Sequence, residues 1–132
     1  MATAPAFAST VNLGSGLVSA TLDTSLTAPT NVTTIVTGVA AGTKIEELVF
    51  QGVGTTVASV VNVFLYDGST YHLYDQALIT AVTSSTTAVA FRNTRQYTNL
   101  LLKDNTWSLR VTNTVAGNQS MIKVTATGGD LT

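Results

Sequence analysis

The chain has 132 residues, no cysteine and a charged fraction of only 10%, with six Lys/Arg against seven Asp/Glu. That length suits a single domain with a real core, and the missing thiols exclude disulfides, thiolate metal sites and cysteine nucleophiles. Sparse, balanced charge supplies neither a basic face for nucleic-acid phosphates nor a polybasic patch for a membrane surface.

Val, Ile and Thr together make up 45 residues, about a third of the chain, and their branched Cβ atoms favour the pleated strand. The first thirty residues are small and Ser/Thr/Ala-rich, broken by Pro5, Gly14, Gly16 and Pro29. They show no apolar period and are expected to form an extended N-terminal arm over 1–30. No Lys or Arg precedes Lys44 and no continuous apolar block occurs, so the start lacks both parts of a secretory signal and synthesis in the cytoplasm is expected. The longest mostly apolar stretch, VASVVNVFLY at 57–66, is far shorter than the ~18 residues of a spanning helix.

From residue 31 onward, short apolar runs recur between Gly, Asn, Asp and Ser clusters, the pattern of an all-β sandwich or barrel. In chain order the expected strands are 32–39, 44–53, 59–66, 71–76, 86–92, 99–102, 107–112 and 121–127. The segment KIEELVFQ also carries Ile45, Leu48 and Val49 at helical spacing. Leu48 and Phe50 fit alternation, however, and Gly52 with Gly54 cuts any helix short, so a strand with a bulge near Glu46-Glu47 is predicted. Alternation assigns Val61, Val63 and Leu65 to one inner face, Trp107, Leu109 and Val111 to another, and Ile122, Val124 and Ala126 to a third. KDNT (103–106) and AGNQ (116–119) read as turns. The fold class is therefore an antiparallel β-sandwich, jelly-roll-like, of seven or eight strands over 31–132, with consecutive strands expected to pair.

The segment FLYDGSTYHLYDQ (64–76) gathers four aromatic residues, the lone histidine and two carboxylates. Asp67-Gly68 between apolar runs is a hairpin signal. An odd loop would set Leu73 beside Val63 and Leu65, leaving a second face of Asn62, Phe64, Tyr66, His72 and Tyr74 as the candidate interface. No nucleophile elbow surrounds any Ser, so no catalytic role is assigned to His72. One His and no Cys leave only carboxylates, and Asp67, Asp75 and Glu46-Glu47 lack calcium-loop spacing, so no metal is expected. Gly128-Gly129 has neither a Lys nor a following helix to cradle phosphate, and no cofactor is expected.

The segments IVTGVAAGTKIEEL, VNVFLYDGSTYHLYDQALIT, LLLKDNTWSLRVTNT and IKVTATGGDL occur in an order that resembles small virion structural proteins of tailed bacteriophages, in particular those of the head decoration or cement type. Phe64 to Leu73 and Gly128-Gly129-Asp130 carry most of this likeness. The resemblance implies a compact β-domain, a homotrimer seated on the major capsid protein at the capsid surface of the virion, and no enzymatic activity. Two alternatives stand beside this expectation, the first drawn from the exposed aromatic residues and the second from the same resemblance. One is a carbohydrate-binding or host-adsorption module using Tyr66, Tyr74 and Trp107 as stacking platforms; the other is a tail structural protein of the same virion.

Overall fold

The computed structural model describes residues 8–131. Among them there is no helix, and eight strands form two four-stranded antiparallel sheets. The strands are β1 (Ala8–Leu17), β2 (Thr33–Thr37), β3 (Thr43–Gly52), β4 (Ser59–Tyr66), β5 (Tyr71–Ile79), β6 (Arg92–Leu102), β7 (Ser108–Asn113) and β8 (Ile122–Leu131). One sheet has the order β1-β8-β3-β6 and the other β2-β7-β4-β5. Only β4 and β5 pair as neighbours in sequence. Around their turn the pairs nest outward as 4 with 5, 3 with 6, 2 with 7 and 1 with 8, so the chain behaves as one long hairpin rolled over itself, a jelly roll. Consecutive pairing, expected from the turn signals, holds for that hairpin alone: the other connections cross between sheets.

The three inner faces read from alternation meet in the core. Ile45, Leu48 and Phe50 of β3, Leu100 and Leu102 of β6, and Ile122, Val124 and Ala126 of β8 face Val61 and Val63 of β4, Ala77 and Ile79 of β5, and Leu109 and Val111 of β7. Each Val, Leu, Ile or Phe side chain among them contributes about 1.5–3 kcal/mol by leaving water. Leu65 and Trp107 pack against the rim of this cluster. The predicted bulge is present: against β8 the register slips between Ile45 and Glu47, with Glu46 as the extra residue.

The expected arm is corrected for residues 8–17. They form β1, paired with β8 from Ala8 opposite Leu131 to Leu17 opposite Lys123, while the remainder of the expected arm before residue 8 lies outside the described residues. Residues 18–32 also belong to the body, because Val18 is buried and its N–H donates to the Ile122 carbonyl, and the Asp23 N–H donates to that of Asn113. A Cβ on Gly14 would strike the carbonyl of Ile35, the residue at which β2 bulges, and a Cβ on Gly16 would crowd Thr33. A Cβ on Gly128 would strike the Lys44 carbonyl beside the β3 bulge. Gly14 and Gly128 let β1 approach the β2 main chain and β8 that of β3, and Gly16 makes room for Thr33, whose hydroxyl ties β2 to the Leu17 carbonyl of β1.

The opposite side of the sandwich, between β5 and β6, closes through polar side chains. Arg95 grips Asp75 with two bonds of 2.9 and 3.0 Å, the Tyr97 hydroxyl donates to the same carboxylate at 2.7 Å, and the Asn93 amide reaches the Leu78 carbonyl. Two strand expectations are corrected here. Residues 86–91 form a loop, in which Val89 is 89% exposed and only Phe91 is buried. The expected strands at 86–92 and 99–102 give way to a single strand, β6, which spans the polar residues between them. Opposite the Ile45–Glu47 slip, β6 passes from Gln96 to Leu100 with Tyr97, Thr98 and Asn99 unpaired to β3.

Gly128→Ala should lower the unfolding free energy by about 3 kcal/mol or more, at the upper end of overpacking costs because the obstacle is main chain. Urea titration of the two proteins measures it; a cost below about 0.5 kcal/mol would mean that the contact relaxes freely.

Candidate interaction surface

The β4–β5 hairpin is built on the predicted Asp67-Gly68 turn. Gly68 adopts a φ of +101°, and one Asp67 carboxylate oxygen accepts the N–H groups of Ser69 and Thr70 and the Ser69 hydroxyl. Tyr66 pairs with Tyr71 across residues 67–70, so the loop is even, not odd. Near the turn Leu65 therefore stands opposite His72 and Phe64 opposite Leu73. The register then slips at Tyr74, and beyond it Val63 faces Asp75 and Val61 faces Ala77. One extra residue satisfies both demands: the turn keeps its preferred geometry and the core still receives Ala77 and Ile79.

This slip redistributes the expected face of Asn62, Phe64, Tyr66, His72 and Tyr74. Asn62, Phe64 and Tyr66 do share the outer face of their sheet, but with Tyr71, Leu73 and Gln76. His72 turns to the other face and stacks on Trp107 at 6.0 Å and 16°. Tyr74 lies beside Tyr97, with ring centres 5.6 Å apart, at the β5/β6 side. Phe64 and Asn62 are buried within the monomer, so neither offers surface to a partner. Asn62 instead accepts a 2.8 Å bond from the Gln76 amide.

What the outer face does present is a cluster of Tyr66, Tyr71 and Arg110. The Arg110 guanidinium lies over the Tyr66 ring at 4.2 Å, its Nη1 donates to the Tyr71 hydroxyl at 3.0 Å, and its Nε donates to Ser108 at 2.9 Å. The two tyrosine rings sit 4.3 Å apart, and Phe64 meets Tyr71 edge-on at 5.8 Å. Residue alternation on β7 puts Ser108, Arg110 and Thr112 on one face, but only the sheet order sets Arg110 beside Phe64. That long-range pairing carries no local signal. Tyr66, Tyr74 and Trp107, the expected stacking platforms for a sugar, are not brought together, and Arg110 covers one face of Tyr66.

At the hairpin tip His72 Nε2 lies 3.0 Å from the second Asp67 oxygen. The Ser69 hydroxyl bonds Asp67, not His72, so a carboxylate is the hub where a nucleophilic triad needs the imidazole between hydroxyl and acid. The bond with His72, followed by the Thr70 and Ser69 N–H groups, holds the Asp67 carboxyl well below the usual range. For Asp75, burial opposes the charge, yet the bonds from Arg95 and Tyr97 outweigh it and lower the pKa. Burial first, and the bond to Asp75 second, push the Tyr97 hydroxyl far up. Glu46 and Glu47 border a groove of about 640 Å³ with Gln96, Tyr97, Thr98 and Thr127. Among the described residues no group of three or more His, Asp or Glu side chains is placed to hold a metal ion.

No protein-family model matches the chain, and no curated protein or solved structure matches it at a significant level.

Asp67 has a folded pKa depressed below its unfolded value near 3.9, so its stabilisation is fully present above that value and lost as the pH falls through the folded one. Asp67→Asn should therefore destabilise the protein near neutral pH, and the gap to wild type should narrow steadily below about pH 4. Denaturant unfolding across that range checks the sign, and a gap that widens on acidification would contradict it.

Proposed function

We propose that the chain is a virion structural protein: a phage head decoration protein that binds the major capsid protein lattice as a homo-oligomer and stabilises the shell. The observation that carries this reading is the Tyr66–Tyr71–Arg110 cluster on an outer sheet face. Tyr and Arg are the residues most enriched at the energetic centres of protein interfaces, and here mutual stacking already restrains them, which reduces the side-chain ordering that docking costs. A low overall charge adds support, since few ionised groups need desolvation when a large surface is covered. The resemblance of the hairpin and the carboxy-terminal strand to head decoration proteins supplies the partner and the capsid-surface location; the sandwich itself is compatible with many functions. In this role the work is mechanical, each copy bridging neighbouring capsid subunits and adding interface free energy against internal pressure.

Purified protein should bind expanded capsids built from the major capsid protein encoded with it. Tyr66→Ala combined with Arg110→Ala should weaken that binding by about tenfold or more, as loss of an interface centre does, with the β-rich circular dichroism spectrum retained. No binding by the wild type, or equal binding by the variant, would contradict the proposal.

A further inference from the structure

Four strands end the two sheets: β1 and β6 in one, β2 and β5 in the other. Exposed sheet edges are templates for adding a strand, and proteins blunt them with short strands, bulges and charges. Three of these edges are blunted. The strand β2 has five residues and a register slip at Ile35; β5 slips at Tyr74 and carries Asp75; β6 carries Arg92 and Arg95 and leaves Tyr97 to Asn99 unpaired to its neighbour.

The β1 edge has none of this between Thr10 and Leu17. It pairs without a slip over that span, and no charged residue occurs before Asp23. Its outward side chains are Val11, Leu13, Ser15 and Leu17, with Val11 77%, Leu13 65% and Leu17 43% exposed. The direction of its main chain follows from the Val18 N–H bond to Ile122. By the two-residue period, the amides of Gly16 and Gly14 point to β8, whereas the N–H and C=O groups of Val11, Leu13 and Ser15 point away from the sheet. The Leu17 carbonyl lies on that free side too, where the Thr33 hydroxyl donates to it at 2.8 Å.

We infer that β1 is the contact between two copies of this chain, paired antiparallel to the second copy's β1 so that the two sheets become one continuous eight-stranded sheet. Three observations select this occupant. An uncharged edge with alternating apolar groups is best complemented by another uncharged edge, and among the described strands β1 is the edge that stays unblunted from Thr10 to Leu17, its one slip lying between Ala8 and Thr10. A two-fold axis at Leu13 sets Leu13 against the second copy's Leu13 and Val11 against the second copy's Ser15, on the same outer face, and closes about six main-chain bonds. Neutrality of the whole segment before Asp23 also means that two copies approach without like-charge repulsion. The contact uses the opposite sheet from the Tyr66–Tyr71–Arg110 cluster and leaves that cluster free, so it stands independently of the capsid-binding proposal.

Sedimentation equilibrium of the full chain over a concentration series tests the pairing. Wild type should fit a reversible monomer–dimer equilibrium. Leu13→Lys, which puts a charge at the axis on an already exposed position, should weaken dimerisation at least tenfold, while Leu101→Lys, on the same outer face but at the β6 edge, should leave it unchanged. Circular dichroism confirms that both variants remain folded. A strictly monomeric wild type, a trimer, or a dimer indifferent to Leu13→Lys overturns the inference, and none of these outcomes bears on whether the Tyr66 and Arg110 face binds capsids.

Discussion

The close approach of strands permitted by Gly14, Gly16 and Gly128 is the constraint on which the rest of the molecule depends. A jelly roll must bring its first strand beside its last, and here it must do so where β2 bulges beneath β1 and β3 bulges beside β8. A side chain at any of these glycines would occupy space already taken, for Gly14 and Gly128 by another strand's carbonyl. Without side chains there, β1 seats fully against β8, the inner face is sealed, and the apolar residues of β1 are left on the outside. The exposed character of that edge is thus a consequence of how the sandwich closes.

The two sides of the sandwich are closed by different physics. On the β1/β2 side the backbones themselves touch. On the β5/β6 side Asp75, Arg95, Tyr97 and Asn93 span the gap, where partial exposure allows ions that a dry core would penalise. Bulges make the second arrangement possible. The slip at Tyr74 lets β5 serve the aromatic outer face near the turn and the core farther along, and the unpaired Tyr97 to Asn99 stretch swings the Tyr97 hydroxyl onto Asp75.

How much of this was legible in the sequence depended on what each strand buries. Where alternation was carried by large aliphatics, as in Val61/Val63, Leu109/Val111 and Ile122/Val124, the inner faces were readable, and Glu46-Glu47 betrayed a bulge because two acidic residues interrupt an otherwise apolar period. The strand β1 was hidden because glycine replaces the inner-face side chains whose periodicity would have announced it. The middle of β6 was hidden because its inward groups are the polar clasp, and 86–91 misled because Thr86, Thr87 and Val89 are strand-forming residues in a segment that buries nothing but Phe91. The candidate surface was half legible. Tyr66 was found from local sequence, but the parity of the hairpin depended on a bulge at Tyr74, and the partnership with Arg110 depended on which strand lies beside β4.

A body of this kind has its chemistry on its outside: a restrained Tyr–Arg cluster on one sheet and an uncharged strand edge on the other, both suited to protein contacts. The second depends on β1 being an integral strand with a neighbouring strand on one side only. Amide hydrogen exchange on dilute protein measures this residue by residue. Slow exchange is expected at Gly14 and Gly16, whose N–H groups face β8, and fast exchange at Leu13 and Ser15, whose N–H groups face outward. Uniformly fast exchange through residues 10–17 would show a loose arm and contradict it.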